Sequence, residues 1–243
     1  AVLRGELTAA GVDATRVITD PTTATGHAII QVDKLGQNCI LLYGGANLTI
    51  TEADADRALE GFGRGDWLFL QNEISCLTYL IRRGAELGMT IVLNPSPINE
   101  TLIACDLSCV SWFILNEIEG TGMTGCHDAK SICTSLHCRY PNANFVLTLG
   151  SRGAICTDPS GFVWQPIFPV ETVDSTAAGD TFTGYFFSAV YQGMSHSEAL
   201  RRGAMASALS VSRSGSAISI PTREQVETAL AQLKGNDQAQ SRF

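Results

Sequence analysis

Asp66-Trp67-Leu68-Phe69-Leu70-Gln71, the helical run from Ser75 to Leu87, and Met89-Thr90-Ile91-Val92-Leu93-Asn94 form the stretch on which the fold turns. The apolar runs at either end have the length of strands, and Gly88 sits where the intervening helix needs a C-terminal cap. Strand, helix and strand in immediate succession is the crossover unit of a parallel sheet. The rhythm continues with a strand at Val110 to Leu115, a helix at Cys126 to Arg139 and a strand at Asn144 to Leu149. Strands this continuously apolar are buried on both faces, so the expected fold class is a three-layer α/β/α domain with a mainly parallel sheet.

Upstream, Ala1 to Ala10 read as the tail of an amphipathic helix, with Gly11 as its cap. Gly26 to Asp33 and Asn38 to Tyr43 are β-rich runs around the turn Lys34 to Gln37. Ala28, Ile30 and Val32 alternate with His27, Ile29, Gln31 and Asp33, which predicts a hairpin with one face well buried. Gly44 to Asn47 turn the chain out of it, and Thr51 to Asp54 form a capping-box helix start. Downstream, Ala154 to Thr157 and Phe162 to Gln165 predict an antiparallel hairpin around Pro159-Ser160-Gly161. Helices follow at Asp180 to Gln192, Ser195 to Arg213 and Arg223 to Leu233, with a frayed polar tail from Gly235. No internal repeat or low-complexity linker interrupts the chain, so residues 1–243 read as one domain carrying a small β-hairpin lid and hinge at 26–47.

At 243 residues the chain can bury one sizeable core. A net charge of -8 argues against a broad nucleic-acid or anionic-membrane surface. No apolar run has the length needed to cross a bilayer, and the first ten residues lack the apolar core of a signal peptide. The eight cysteines, Cys39, Cys76, Cys105, Cys109, Cys126, Cys133, Cys138 and Cys156, contain no C-x-x-C pair. Reduced cytoplasmic thiols are the expectation. A metal site built from Cys126-His127, Cys133 and His137-Cys138 is the competing reading. Cys133 and His137 share a helix face, but the spacing matches no common zinc framework.

The densest chemistry lies in Val173-Asp174-Ser175-Thr176-Ala177-Ala178-Gly179-Asp180-Thr181-Phe182. A run of small residues leads into a helix beginning at an aspartate. The N–H groups of Ala177, Ala178 and Gly179 can converge there, with the helix dipole behind them, to form a pocket for negative charge. Phosphoryl transfer to a hydroxyl would use such a pocket for the migrating group and Asp180 as the base. An ordinary N-cap aspartate is the bland alternative.

The run from Asp174 to Phe182 is similar to the signature D-[ST]-x-[AG]-[AG]-G-D-x-F of the ribokinase family of carbohydrate kinases. The resemblance implies a ribokinase-like fold, Asp180 as catalytic base and Ala177 to Gly179 as anion hole. Asn94-Pro95-Ser96-Pro97 resembles the family's strand end beside the active site. Asn116-Glu117-Ile118-Glu119 resembles its N-x-x-E motif, which implies that Asn116 and Glu119 organise magnesium and phosphates, often through water. That suits an ion that keeps much of its hydration. Thr148-Leu149-Gly150-Ser151-Arg152-Gly153 resembles the nucleotide loop, with ATP contacts also at Asn116, Gly179, Asp180 and Ala204. Arg152 either meets phosphate or lies in solvent. Ala204 stands where many relatives place a polar residue near the adenine; it either widens that pocket or serves tight helix packing among Gly203, Ala206 and Ala208.

Gln71-Asn72-Glu73 resembles the Q-x-E of the family's ribose-specific members, which implies sugar binding by Glu73 together with Asp180. Register with the family also maps a potassium site onto Asp174, Thr176, Ser210, Arg213, Gly215 and Ser219. The implied activity is ATP-dependent phosphorylation of a sugar, D-ribose to D-ribose 5-phosphate first, with fructose or adenosine as rivals. Family lids often mediate dimerisation, so a homodimer is among the expectations. Two family segments do not occur here, a first strand with a sugar-binding aspartate and a G-G-K-G-x-N motif. Residue 1 therefore reads as falling within a helix beyond them, and the alternative expectation is a catalytically impaired nucleotide-binding or dimerising protein of the same fold.

Overall fold

The computed structural model describes residues 2–32, 38–158 and 161–240. Asp33, the turn expected at Lys34 to Gln37, the tip residues Pro159 and Ser160, and the side chain of Cys39 lie outside the described residues. The chain divides into two compact units, Ala1–Ile91 with Ala104–Cys109, and Val92–Ile103 with Val110–Phe243.

In the first unit, α1 (Val2–Ala9) ends at Gly11, whose φ of +79° lets the amide of Val12 return to the Leu7 carbonyl at 2.9 Å. Strands β1 (His27–Val32) and β2 (Asn38–Tyr43) pair antiparallel, from His27 opposite Tyr43 to Val32 opposite Asn38. Of the hairpin face expected to be buried, Ala28 and its partner Leu42 are exposed, while the side chains of Ile30 and Val32 lie outside the described residues. On the other face Ile29 and Leu41 are each more than half exposed. The two strands form a sheet of their own.

Helix α2 (Glu52–Leu59) begins with the expected capping box: Thr51 Oγ1 accepts from the Asp54 amide, and Asp54 accepts from the Thr51 amide. Strand β3 (Trp67–Gln71) leads to α3 (Leu77–Glu86), which starts two residues later than the sequence implied. Ser75 donates its hydroxyl to the Ile50 carbonyl at 2.7 Å, and Cys76 takes a left-handed conformation at φ 59° before the helix can start. Gly84 lets α3 pack closely on β3, since a Cβ there would lie 2.8 Å from Leu68 Cδ2 and displace that side chain. Strand β4 (Thr90–Asn94) opens with the Thr90 amide donating to the Asp66 carbonyl.

The second unit holds the remainder of β4 and then α4 (Glu100–Ile103), β5 (Trp112–Asn116), α5 (Glu117–Thr124), α6 (Ala129–Arg139) and β6 (Asn144–Thr148). It continues with β7 (Ala154–Asp158), β8 (Gly161–Gln165), α7 (Ala178–Tyr191), α8 (His196–Val211) and α9 (Arg223–Gln240). Its strands run β4-β5-β6-β7-β8. The pairs β4–β5 and β5–β6 are parallel, and β7 and β8 extend the sheet antiparallel as the expected hairpin. Helices α5 and α6 pack on β5 and β6, while α8 packs against α7, β7 and β8. Phe113 and Phe145 are opposite one another in register, fully buried, and stack at 5.4 Å between centroids. Trp112 meets Phe187 of α7 edge-on at 5.5 Å.

Other helix limits also differ from the sequence reading. Helix α6 begins at Ala129 because Asp128 caps it, accepting from the Ser131 amide at 3.0 Å, so Cys126 and His127 precede the helix. Helix α7 begins at Ala178, making Asp180 its third residue. Helix α9 runs on to Gln240, so the segment after Gly235 expected to fray is helical; one glycine weakens a helix by about 1 kcal/mol, which is short of a break.

Replacing Phe145 by Ala empties a fully buried position between β5 and α6 and should cost about 3–5 kcal/mol of stability. A urea titration showing an unchanged midpoint would remove Phe145 from the account of the core.

Candidate active site

The second unit turns into α7 through Ala177, whose φ of 59° and ψ of 14° place it in the left-handed region. An alanine pays for that conformation with steric strain, and the surrounding hydrogen bonds hold it there. Asp174 supplies the main restraint. Its Oδ1 accepts from the Thr176 amide at 2.9 Å and its Oδ2 from the Gly215 amide at 3.0 Å, tying the turn before α7 to the loop after α8. The amides of Val173 and Asp174 both donate to the Val211 carbonyl at the end of α8.

Of the predicted trio of amides, Ala178 is spent within the turn. Its N–H donates to the Ser175 carbonyl at 3.2 Å, and the Thr181 N–H donates to Ala177 as the first bond of the helix. Among the described residues, no group of the chain accepts from the N–H of Ala177, Gly179 or Asp180. First-turn amides of this kind are the donors that bind anions at a helix N-terminus.

The loop after β6 forms the facing wall. Gly150–Arg152 make a single 3₁₀ turn, and Gly153 adopts φ +94°. A Cβ on Gly153 would fall 2.0 Å from the Gln165 carbonyl oxygen, so glycine is required where the backbones of β7 and β8 converge. The Trp164 indole N–H donates to the Arg152 carbonyl at 3.0 Å and steadies the loop from β8. Thr148, Gly150, Ser151 and Gly153 border the same cleft of ≈ 370 Å³ as Ala178, Gly179 and Ala204. Leu149 is buried beneath the loop. Arg152 pairs with Glu117, the first residue of α5, in an exposed ion pair.

Ala204 is buried and borders the cleft. Its neighbour Gly203 lets α8 approach α7, since a Cβ there would stand 3.0 Å from the Phe182 ring. The helix-packing reading of this position holds, and Ala204 also borders the cleft.

Asp180 is exposed and borders a different concavity, of ≈ 350 Å³, with Gly184, Tyr185, Ser188, Arg202 and Arg223. Helical geometry accounts for this. Ala178 and Phe182 share the cleft side of α7, while Asp180, Gly184 and Ser188 follow the other side. The amides and the carboxylate thus flank the same helix end from two directions.

Asn116 closes β5 and caps α5. Its side-chain carbonyl accepts from the Glu119 amide at 2.9 Å, while the buried Glu119 carboxylate accepts from the Asn116 amide (2.9 Å) and side-chain N–H (3.0 Å). Two oxygens held rigid beside a parallel strand end suit an ion that is met through its own water. The residues mapped to potassium also gather in one place. The buried Ser210 and Ser219 hydroxyls lie 2.9 Å apart, the Arg213 amide donates to the Ser210 carbonyl, and Gly215 meets Asp174, which also holds Thr176. Glu73 belongs to the first unit, exposed in the turn directly after β3.

The competing zinc reading loses its geometry. Cys133 and His137 share a face of α6, but among the described residues no three His, Cys, Asp or Glu side chains converge as metal ligands. His137 Nε2 instead meets Thr157 Oγ1 at 2.8 Å, with burial lowering the pKa of the ring. Burial pushes the Cys133 thiol up to about 11 and that of Cys156 up to about 12. The seven described cysteines are free. Sequence reasoning missed Glu117 as the partner of Arg152, and missed Ile167, Phe168 and Ser207 on the cleft wall. No local motif marks them, since tertiary packing alone brings them there.

The model for the pfkB family carbohydrate kinase matches residues 1–223. The chain is 34% identical over 234 residues to a bifunctional ribokinase/ribose-5-phosphate isomerase A of Fructilactobacillus sanfranciscensis, covering 91% of this chain and 42% of that protein. It is 32% identical over 223 residues to a ribokinase of Haemophilus influenzae, covering 88% of this chain and 72% of the relative. Among solved structures, Arabidopsis thaliana ribokinase complexed with ribose and ATP superposes with a TM-score of 0.71 at 28% identity, over 85% of this chain and 69% of that one.

The Thr176 and Gly215 hydrogen bonds hold the Asp174 carboxyl below its ordinary value of 3.8. A depressed carboxylate contributes stability that is fully present above the unfolded value and is lost as pH falls through the folded one. Wild type should therefore exceed Asp174→Asn in stability at neutral pH, and the gap should close as pH falls below 3.8. Thermal melts of both proteins across that range check this, and a gap independent of pH would count against it.

Proposed function

Because the chain belongs to the pfkB family of carbohydrate kinases, we propose that it transfers the terminal phosphoryl group of ATP to a sugar hydroxyl, D-ribose before fructose or adenosine. The observation that carries this reading is the unpartnered amide of Gly179 at the mouth of α7, bordering one cleft with the glycine-rich loop after β6. Amides fixed before the reaction can stabilise charge that grows on a transferring phosphoryl group without reorganising at that moment. The preference for ribose rests on the ribokinases among the relatives and on Glu73 at the end of β3, proposed to hydrogen-bond sugar hydroxyls.

In the proposed reaction Asp180 accepts the proton of the attacking hydroxyl as its oxygen bonds to the γ-phosphorus. The bond to the bridging oxygen breaks, and ADP leaves with that electron pair. The amide pocket, drawn from the sequence as Ala177 to Gly179, is assigned on this reading to the amides of Ala177, Gly179 and Asp180, with that of Ala178 held by Ser175. Thr148 to Gly153 would lie along the nucleotide, with Arg152 free to exchange its exposed partner Glu117 for phosphate. Asn116 and Glu119 would hold magnesium through water, offsetting the charge of the phosphates. Asp174, Thr176, Ser210, Arg213, Gly215 and Ser219 would hold potassium and so fix the turn before α7. The proposal takes residues 1–243 as one kinase domain with 26–47 as its lid, and a second copy as the partner of the exposed hairpin residues Ile29, Leu41 and Tyr43.

ADP release with ribose, fructose and adenosine, each with and without potassium, tests the reading. Ribose should give the fastest release, and potassium should raise it. Asp180→Asn should lower turnover by about a hundredfold or more while ATP still binds. Unchanged turnover in that variant would refute the assignment of the base.

A further inference from the structure

Two chemically distinct sets of residues line the cleft. One is the backbone of Gly150, Ser151 and Gly153 with the opening residues of α7, Ala178 and Gly179. The other is mainly apolar: Ile167, Phe168 and Val170 from the segment after β8, with Ala204, Ser207, Ala208 and Val211 of α8. Amides and glycines suit phosphates, which leaves the apolar set for the base of the nucleotide. Among the described residues bordering the whole cleft there is no carboxylate, carboxamide, imidazole, ammonium or guanidinium. Its polar side chains are the hydroxyls of Thr148, Ser151, Thr172, Ser175 and Ser207.

That composition bears on which base is accepted. Adenine presents an amino donor beside a ring acceptor, while guanine presents a carbonyl acceptor beside a ring N–H donor. A carboxamide or carboxylate fixed against that edge would suit one pattern and leave an unpaired polar group against the other. A hydroxyl donates or accepts by rotating about its C–O bond and so serves either pattern. Ser207, half-buried on α8, is the hydroxyl nearest in sequence to Ala204 and Ala208, and it points to no single base. Van der Waals contact with Ile167, Phe168 and the alanines likewise holds any purine plane without reading its edge.

Resting on the kinase reading above, we propose that the phosphoryl donor is a purine nucleoside triphosphate of either base pattern, with ATP and GTP accepted comparably. Discrimination exceeding several thousandfold arises where a site is built to hydrogen-bond one pattern, whereas apolar slots separate analogues weakly, so the expected ATP-to-GTP affinity ratio is about tenfold or less.

Calorimetric titration of the full chain with the magnesium complexes of ATP, GTP and CTP, without sugar, reads this ratio independently of catalysis. Comparable affinity for ATP and GTP supports the proposal. Binding of ATP with GTP weaker by more than about tenfold overturns it and would mean that backbone groups of 167–172 read the base edge. Binding of no nucleotide overturns the kinase reading itself, so the two failures are distinct. Ser207→Asn supplies a second measurement. A carboxamide placed on that wall should move the ratio away from the wild-type value by about fivefold or more, as a fixed donor and acceptor begin to favour one edge. An unchanged ratio in a variant that melts like wild type removes the α8 wall from the base site and overturns the proposal.

Discussion

Asp174 holds two amides that are far apart in the chain, and the geometry of the candidate site depends on that carboxylate. One oxygen takes the Thr176 amide two residues on; the other takes Gly215 from the loop after α8. The chain between Asp174 and α7 must consequently turn within three residues, and Ala177 does so with a left-handed backbone. Such strain in a non-glycine residue persists only where its surroundings over-determine it. Here they do so from both sides, through the Val211 carbonyl that receives Val173 and Asp174 and through the first bond of α7 from Thr181 to Ala177. The outcome is a helix mouth at which the amides of Ala177, Gly179 and Asp180 have no acceptor among the described residues.

Packing behind that mouth sets how near the walls of the cleft can come. Gly203 brings α8 against Phe182, which lets Ala204 face the cleft and serve the helix interface at once. Gly153 allows the β6–β7 loop to touch the backbone of Gln165, and Trp164 then pins the loop through the Arg152 carbonyl. Both contacts exclude a side chain for steric reasons, so the glycines are consequences of the close approach of two backbones. The same economy of side chains leaves the cleft without charged groups, and its recognition falls to amides, hydroxyls and apolar contact.

The alternating strands and helices were legible from apolar periodicity, because strands buried on both faces carry few polar residues. The capping boxes at Thr51 and Asn116 were equally legible, since both partners lie within one helical turn. Helix starts at α3, α6 and α7 were less so. Those of α3 and α7 were shifted by a contact or backbone state with no local signature, Ser75 reaching Ile50 and Ala177 turning left-handed, while the Asp128 cap of α6 is local and sits inside the predicted run. On the hairpin face expected to be buried Ala28 is exposed, since alternation reports which residues share a face but says nothing of what covers it.

By itself the sequence determined the class of fold, the identity of the small-residue turn before α7 and the glycine loop after β6, for these are written in local spacing and residue size. Tertiary structure alone decided which amides remain unpartnered, that Asp180 faces a different concavity from Ala178, and that Arg152 meets Glu117. The physical reason is one of range. Periodicity and capping act over a few residues, whereas the hydrogen bonds that spend or spare an amide join segments dozens of residues apart.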